Sequence, residues 1–364
     1  MGGEALSKIN VAIIGVGNCA SSLIQGVYYY RNVKDDEKVP GLTRTVFGEY
    51  RIRDINFVAA FDVDPRKIGR DLSEAIFTEP NCTVKFCDVP KLGVTVQPGV
   101  VLDGVAPHMR EAFGLSGIDP PEADDVAEVL KASNADMVIN YLPVGSYKAS
   151  RFYAEAALQA GCAFINAIPE FIASDSHWAE RFERAGIPIA GDDIKSQVGA
   201  TILHRTLVNL LESRGVKIDE TYQLNIGGNT DFLNMTEESR LKSKRISKTE
   251  AVTSLIPYDV NIRIGPSDYV HFLNDRKICY IYIKGRKFGD VPLTIDVKLS
   301  VEDSPNSAGI MVDVIRAVKL ALDREIGGPL TSISAYAFKH PPVQVPDHVA
   351  IKWVEEFIEG KRRR

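Results

Sequence analysis

The sequence predicts an α/β fold, a doubly wound parallel sheet with an inserted α+β region. Three observations carry this. A short, β-branched apolar run, Ile9 to Ile14, ends at a glycine pair and is followed by a helical pattern. From Ala123 to Asp193, apolar runs of strand length alternate with amphipathic stretches, the order of a parallel sheet whose crossovers are helices. After Asp193 the texture changes to alternating runs, TYQLNIGG, YDVNIRIG, KICYIYIKGR and LTIDVKLSVED, which suit an antiparallel sheet with one covered face.

In chain order, KINVAIIGVGNCASSLIQ reads as strand, turn and helix, the helix running to about Arg31 before the break at Pro40 and Gly41. Ile55 to Asp62 is a second strand ending in an acid, and a helix is predicted from Pro65 through Ile76. Thr83 to Pro120 gives only short strands or loops, with an irregular connection over Gly114 to Pro121. Then come helix ADDVAEVLKASN, strand ADMVINYLPVG, helix SYKASRFYAEAALQAG, strand CAFINAIP, helix SDSHWAERFERAG and strand IPIAGDD. A helix from Gln197 to Arg214 leads into the alternating runs, which the lysine-rich MTEESRLKSKRISKTEAV interrupts. A helix near Asn306 to Arg324, the segment ISAYAFKHPP and a solvated KRRR tail close the chain. The expected division is residues 1–200, completed by 308–364, and a second unit over 201–307.

Composition narrows the function classes. With 45% hydrophobic and 25% charged residues over 364, the chain is globular. A net charge of -5 gives no general attraction to nucleic acid or acidic membranes. No apolar stretch reaches the roughly 20 residues of a membrane helix, and no leader pattern stands at the start, so a cytoplasmic location is expected. The five scattered cysteines suit reduced thiols. Cys82 and Cys87 find no partner cluster to complete a metal site, so no residue is assigned to a metal.

Gly15-Val16-Gly17-Asn18-Cys19-Ala20 fits G-x-G-x-x-A between strand and helix. The first glycine permits the tight turn, the second admits a pyrophosphate, and the small Ala20 lets helix and strand pack closely. Asp62 could accept ribose hydroxyls and favour NAD over NADP, although it lies far beyond the ~20-residue spacing usual for that partner; an acid merely opening a loop is the plainer alternative. Tyr141 and Pro143 in NYLPVGS and Ala167 in NAIP follow predicted strands, where the nicotinamide half of a dinucleotide would lie. In GDDIKSQ, the amides of Ser196 and Gln197 would face a substrate phosphate at a helix start, and Asp192 and Asp193 beside Lys195 can tune one another's protonation; an N-cap with solvated charges is the plainer reading. Lys244 and Lys248 lie four apart, so on one helix face they would repel, lowering an amine's pKa and suiting it to proton transfer. Most such runs are solvent faces. Glu302-Asp303-Ser304 offers a carboxylate at another helix start, and Lys339 stands in the apolar strip AYAFKHPP.

Together these segments resemble the myo-inositol-1-phosphate synthases, most closely the shorter bacterial and archaeal form. The resemblance runs over nearly the whole chain through VAIIGVGNCASSL, FVAAFDVD, NYLPVGS, GDDIKSQVGAT, GGNTDFLNM, SKRISKT, EDSPNSAG and AYAFKHPP. It implies conversion of glucose 6-phosphate to 1D-myo-inositol 3-phosphate by NAD-dependent oxidation at C5, enolisation, intramolecular aldol closure and re-reduction, with no net redox change. It also implies that 201–307 is a catalytic and oligomerisation domain inserted in a Rossmann fold, and that the chain forms a homotetramer. By resemblance, Lys244 and Lys339 stand near the C5 oxygen, and Lys248 near the phosphate and the developing C1 oxygen. Asp193 and Asp303 orient lysines, while Asn229 and Ser196, Gln197 contact substrate. Asp231, Ser196 and Lys244 join Gly15 to Ala20, Asp62, Tyr141, Pro143 and Ala167 at the cofactor. A further family lysine has no clean match in the local text, GPSDYVHFLNDRK, where Arg276 or Lys277 would substitute for it. Family members differ in whether a divalent or monovalent cation assists, and no ligand cluster here selects one. The rival readings are a net NAD-dependent sugar-phosphate dehydrogenase and an inactive NAD-binding regulator; the excess of lysines argues against the first, and their completeness against the second.

Overall fold

The structure, a computed structural model, describes residues 8–115 and 120–364, so the middle of the irregular connection expected over 114–121 lies outside the described residues. The first strand, β1 (Ile9–Ile14), is followed directly by helix α1 (Asn18–Tyr29), then by β2 (Ile55–Asp62), a single turn α2 (Leu72–Ala75) and β3 (Val96–Pro98). Helix α3 (Ala123–Ala132), β4 (Met137–Asn140), α4 (Tyr147–Ala160), β5 (Ala163–Asn166), α5 (Ser176–Arg184) and β6 (Pro188–Gly191) continue the alternation. Strands β4, β5 and β6 are buried at every position, which is why they read as continuous apolar runs: helices cover both faces of the sheet.

Helix α6 (Ala200–Ser213) leads to a second sheet made of β7 (Lys217–Gly227), β8 (Asn261–Tyr269), β9 (Arg276–Arg286) and β10 (Pro292–Glu302). Between β7 and β8 lie the short α7 (Thr230–Asn234) and the lysine-rich α8 (Lys242–Thr253). Strand β10 runs straight into α9 (Asp303–Asp323), a 21-residue helix buried along most of its length. A short β11 (Gly328–Pro329), α10 (Thr331–Ala337) and α11 (Asp347–Ile358) close the chain.

The large sheet has seven strands in the order β11-β6-β5-β4-β1-β2-β3, and every pairing in it is parallel. Strand order reverses at β1, between β2 and β4, and the crevice beyond the carboxyl ends of these strands is where such sheets bind ligands. The smaller sheet runs β8-β7-β9-β10. It is mixed, correcting the antiparallel expectation: β8 lies parallel to β7 because the connection between them is a crossover that contains α8, long enough to return the chain to the same end. Its inner face packs on α6 and α8 through Val208, Leu211, Ile218, Val252, Ile281 and Ile283. Its outer face leaves Tyr222, Leu224 and Tyr280 about 40% exposed, with Tyr222 stacked on Tyr282 at 5.0 Å.

Two helix predictions need correction. The expected helix over 65–76 shrinks to α2, because side chains compete for its backbone: Asp64 accepts from the Arg66 amide, and Asp71 caps Ser73 while also accepting from Leu92 and Gly93. The helix expected from Gln197 starts at Ala200, since Gln197 donates its amide to the Asn306 carbonyl and Val198 donates to the Asn306 side chain.

At the switch point the two loops touch. Gly15 has φ +88°, and a Cβ there would lie 2.9 Å from the carbonyl oxygen of Tyr141, so both backbone conformation and contact demand glycine. Gly15→Ala is therefore expected to cost at least about 2 kcal/mol of unfolding free energy in a urea titration.

Candidate active site

The cleft at the switch point lies between the two sheets and holds a cavity of about 180 Å³. Gly17, Asn18 and Cys19 line one end; Tyr141, Pro143 and Ala167 line the wall beyond β4 and β5; Ser196, Asn229, Asp231 and the lysines line the rest. The structure thus gathers most of the sequence-predicted residues around one space. Gly15, Val16, Ala20, Asp62 and Gln197 do not line it.

The glycine loop is rigidly held from behind. Gly15 donates its amide to the Phe61 carbonyl at 2.9 Å, and Val16 donates to Asp62 Oδ2 at 2.8 Å. The other Asp62 oxygen accepts from the amides of Val63 and Asp64, so this carboxylate fixes the loop instead of opening on the cleft. Lys67 Nζ, fully buried, donates to the Val16 carbonyl and to Asn81, and Asn18 Oδ1 accepts from the amides of Cys82 and Thr83. In front of the loop the backbone is open: nothing lies within 4 Å of where a Cβ on Gly17 would sit, and α1 carries no side-chain cap. Among the described residues, therefore, no side chain caps its first-turn amides. Burial, reinforced by Asp275, pushes the Cys19 thiol up to about 12, so it is a neutral thiol. The Tyr141 hydroxyl is buried and finds no partner among the described residues.

The two aspartates of GDDIK separate their tasks. Asp192 accepts from Asn166, from the amides of Ile172, Ala173 and Ser174, and from the Ser174 hydroxyl, all behind the sheet. Asp193, in a left-handed conformation at φ +63°, faces the cleft. Its segment pairs with the end of the chain: Lys339 donates its amide to the Asp193 carbonyl at 2.7 Å, and Lys195 donates to Ala337 at 2.7 Å. The Lys339 ammonium then reaches Asp193 Oδ1 at 2.8 Å, with Lys244 at 3.5 Å and the Ser247 hydroxyl on the other oxygen. Burial works against the charge of Asp193, but Lys244 and Lys339 outweigh it and hold the carboxyl below the usual carboxylate range.

The lysines diverge for the same reason. Helix α8 does present Lys244 and Lys248 to one space, as their spacing predicts, yet only Lys248 is weakened. Burial, followed by repulsion from Lys244, Lys277 and Lys339, pushes Lys248 down to about 7. Burial also opposes the charge of Lys244, but Asp193, Asp231 and Asp303 more than reverse it and keep the ammonium protonated. Lys339 shifts downward, burial outweighing its bond to Asp193. Lys277 Nζ donates to Asp303 Oδ1 at 2.6 Å and lines the cleft, whereas Arg276 is 56% exposed at its side chain and pairs loosely with Glu302. Of these two neighbours, Lys277 is the one that lines the cleft.

At the far side, Ser196, Gly199, Ala200 and Thr201 bring the uncapped N-terminus of α6 to the cleft, a ready anion site. Gln197 is not part of it: besides its amide bond to Asn306, its side chain donates to the Gly41 carbonyl and lines a separate cavity. Asn229 caps α7 through the amides of Asp231 and Phe232 and donates to Asp275. Gln223 and Asn225, not anticipated, line the cleft and are hydrogen-bonded to each other. Their signal was polar residues at inward positions of an alternating strand. Among the described residues no group of three or more His, Cys, Asp or Glu could hold a metal ion.

Because its unfolded value is 10.5, Lys248 binds a proton less readily when folded than when unfolded between about pH 7 and 10.5. It therefore lowers stability at neutral pH, and this penalty fades as pH rises through that window. Lys248→Met is expected to raise the unfolding free energy by more than about 1 kcal/mol near pH 7 and by progressively less toward pH 10, as read by denaturant titrations at matched pH.

Comparison with known proteins gives the family. The sequence model of the family described as myo-inositol-1-phosphate synthase matches residues 199–304, the stretch from α6 to the start of α9. An inositol-3-phosphate synthase from Mycolicibacterium smegmatis is 56% identical over 364 residues, covering 98% of this chain and 99% of that protein. One from Corynebacterium glutamicum is 55% identical over 360 residues, covering 97% and 98%. The crystal structure of a myo-inositol-1-phosphate synthase-related protein from Thermotoga maritima superposes with a TM-score of 0.83 at 26% identity, over 97% of this chain and 98% of that one. Identity of this extent, spanning both sheets and every segment that lines the cleft, places the chain in the myo-inositol-1-phosphate synthase family.

Proposed function

We propose that the chain is an inositol-3-phosphate synthase, an isomerase that converts glucose 6-phosphate to 1D-myo-inositol 3-phosphate. The observation that carries this is the four-lysine cleft, with Asp193 and Asp303 fixing three of its ammonium groups, in a chain 56% identical to a synthase over its whole length. The open backbone at Gly17, the uncapped first turn of α1 and the unsatisfied Tyr141 hydroxyl fit a dinucleotide across the switch point. NAD bound there would take hydride from C5 of the open-chain sugar and return it after ring closure.

The residues divide the remaining work. Ser196, the amides of α6 and Lys248 hold the phosphate end. Lys339, whose proton burial loosens, takes the C5 hydroxyl proton only in its neutral amine form and gives it back, while Lys244, kept charged by three carboxylates, stabilises the C5 oxygen as a fixed donor. Lys248, titrating near neutrality, accepts the C6 proton and then passes it to the C1 oxygen as the ring closes. No helix of the described residues is long and apolar enough to cross a membrane, in keeping with a cytoplasmic enzyme. The outer face of the smaller sheet, with Tyr222, Leu224 and Tyr280 exposed together, supports a homotetramer joined through that sheet.

Two experiments test this reading. Purified protein given glucose 6-phosphate and catalytic NAD should form inositol phosphate by phosphorus NMR without accumulating NADH, assayed with and without chelator and potassium to decide whether a cation assists; stoichiometric NADH with an oxidised sugar would make it a dehydrogenase. Lys244→Ala should abolish turnover, a loss of at least about 1000-fold, while NAD still binds. Separately, Tyr222→Lys with Tyr280→Lys should lower the mass measured by light scattering from a tetramer to a smaller species; an unchanged tetramer would place the interface elsewhere.

A further inference from the structure

Asp347 opens α11 and does not line the cleft. Its carboxylate nevertheless collects two cations that solvent scarcely reaches. Oδ2 accepts from Arg205 Nε at 2.7 Å and Oδ1 from Lys195 Nζ at 3.3 Å, and the two side chains are 0% and 1% exposed. The other two nitrogens of the Arg205 fork are also engaged. Nη2 donates to the Val345 carbonyl at 2.9 Å; Nη1 donates to the Ala251 carbonyl in the last turns of α8 and to the Ser254 hydroxyl just beyond it. Lys195 Nζ donates its other bond to the Ala335 carbonyl at 2.8 Å.

Each tether ends on an element that carries part of the cleft. Arg205 grips the carboxyl end of α8, whose earlier turns present Lys244, Ser247 and Lys248. Lys195 stands two residues after Asp193 and fixes the segment that pairs with Ala337 to Lys339. Asp347 is the anion shared by both. The geometry points to Asp347 as a positioning residue for the reaction: through Arg205 it sets where α8 places Lys244 and Lys248, and through Lys195 it sets Asp193 against Lys339. This inference rests on the synthase reading for its effect on turnover.

The physical argument is that a fully buried guanidinium holds its place only while its counter-charge does. Asn at 347 keeps the shape and removes the charge, leaving Arg205 and Lys195 as adjacent like charges. Burial already pushes Lys195 down to about 8, so it then sheds its proton, and Arg205 exchanges its charge-assisted bond for at most one to a neutral amide oxygen, which orients its fork toward Ala251 less firmly. Helix α8 does not come free, because His340 Nδ1 meets Glu250 Oε2 at 2.8 Å on its solvent side. The expected result is a displaced α8 in a folded protein.

The test uses the full chain with Asp347→Asn and Asp347→Glu. Turnover and NAD affinity are measured beside the pH midpoint at which Lys248 reacts with an amine-directed reagent, read by mass spectrometry. Asp347→Asn should lower kcat by at least about tenfold with NAD affinity within about threefold, and should move the Lys248 midpoint up by about one pH unit or more as its crowding by Lys244, Lys277 and Lys339 relaxes. Asp347→Glu should recover part of both. Wild-type kcat in Asp347→Asn, or a loss of activity that follows only the folded fraction while the Lys248 midpoint stays put, would overturn the proposal. Should Asp347→Asn fail to fold, the Lys248 midpoint in Asp347→Glu decides: unmoved from wild type, it too overturns the proposal. If wild-type protein makes no inositol phosphate, the synthase reading fails, and the labelling midpoints still decide whether Asp347 positions α8.

Discussion

The organisation of this molecule depends on one buried carboxylate. Asp193 meets two ammonium groups that arrive from opposite directions, Lys339 from the end of the chain and Lys244 from the insertion between β7 and β8. Taking any of these groups out of water is costly, and none is stable there without the others. The carboxylate therefore does more than bind lysines. It makes the position of α8 relative to the large sheet a condition of burying charge at all. The Ser247 hydroxyl, on the same helix face as Lys244, adds a third contact by occupying the second oxygen.

The two sheets are joined where this constraint can act. Strand β10 passes into α9 without a loop, so Asp303 stands at the junction, with its carboxylate on Lys277 of the neighbouring strand and its amide on the Asp275 carbonyl. Asp275 in turn accepts from Ser304 and Asn229, which ties the start of α9 to the cap of α7. The uncapped starts of α1 and α6 open on the same cleft. Helix ends whose amides face a cavity favour anions, and the arrangement makes the space between the sheets attractive to phosphate groups at both ends.

Much of this was legible in the chain because parallel strands covered on both faces must be continuously apolar, so MVIN, AFIN and PIAG stand out with no other plausible reading. The glycine loop was legible because tight turns restrict residue type. What could not be read was decided by contacts distant in sequence. Residues 65–71 have helical composition, but Asp64 and Asp71 capture local amides and stop the helix. Gln197 follows the same motif as Ser196, yet Asn306, 109 positions away, claims its amide. The choice between Arg276 and Lys277 was available in principle: Lys277 shares the inward face of β9 with Cys279, Ile281 and Ile283, and strand alternation puts its neighbour outside. The opposite shifts of Lys244 and Lys248 were beyond reach, since spacing gives their mutual repulsion but not which of them lies near Asp193.

That asymmetry gives the cleft its chemical character. Four lysines face three carboxylates, Asp193, Asp231 and Asp303, so without a ligand the pocket can hold all its protons only by carrying an excess positive charge. Repulsion and burial concentrate the deficit on Lys248, which is why this amine and not Lys244 titrates near neutrality. An incoming phosphate supplies the missing negative charge, and the same electrostatics that expelled a proton from Lys248 then favours its return. Proton affinity at this position is thus coupled to occupancy of the cleft. A buried lysine cluster that would be a defect in a purely structural core becomes, beside an anion, a set of charged donors around one amine, Lys248, that titrates near the pH at which proton transfer runs.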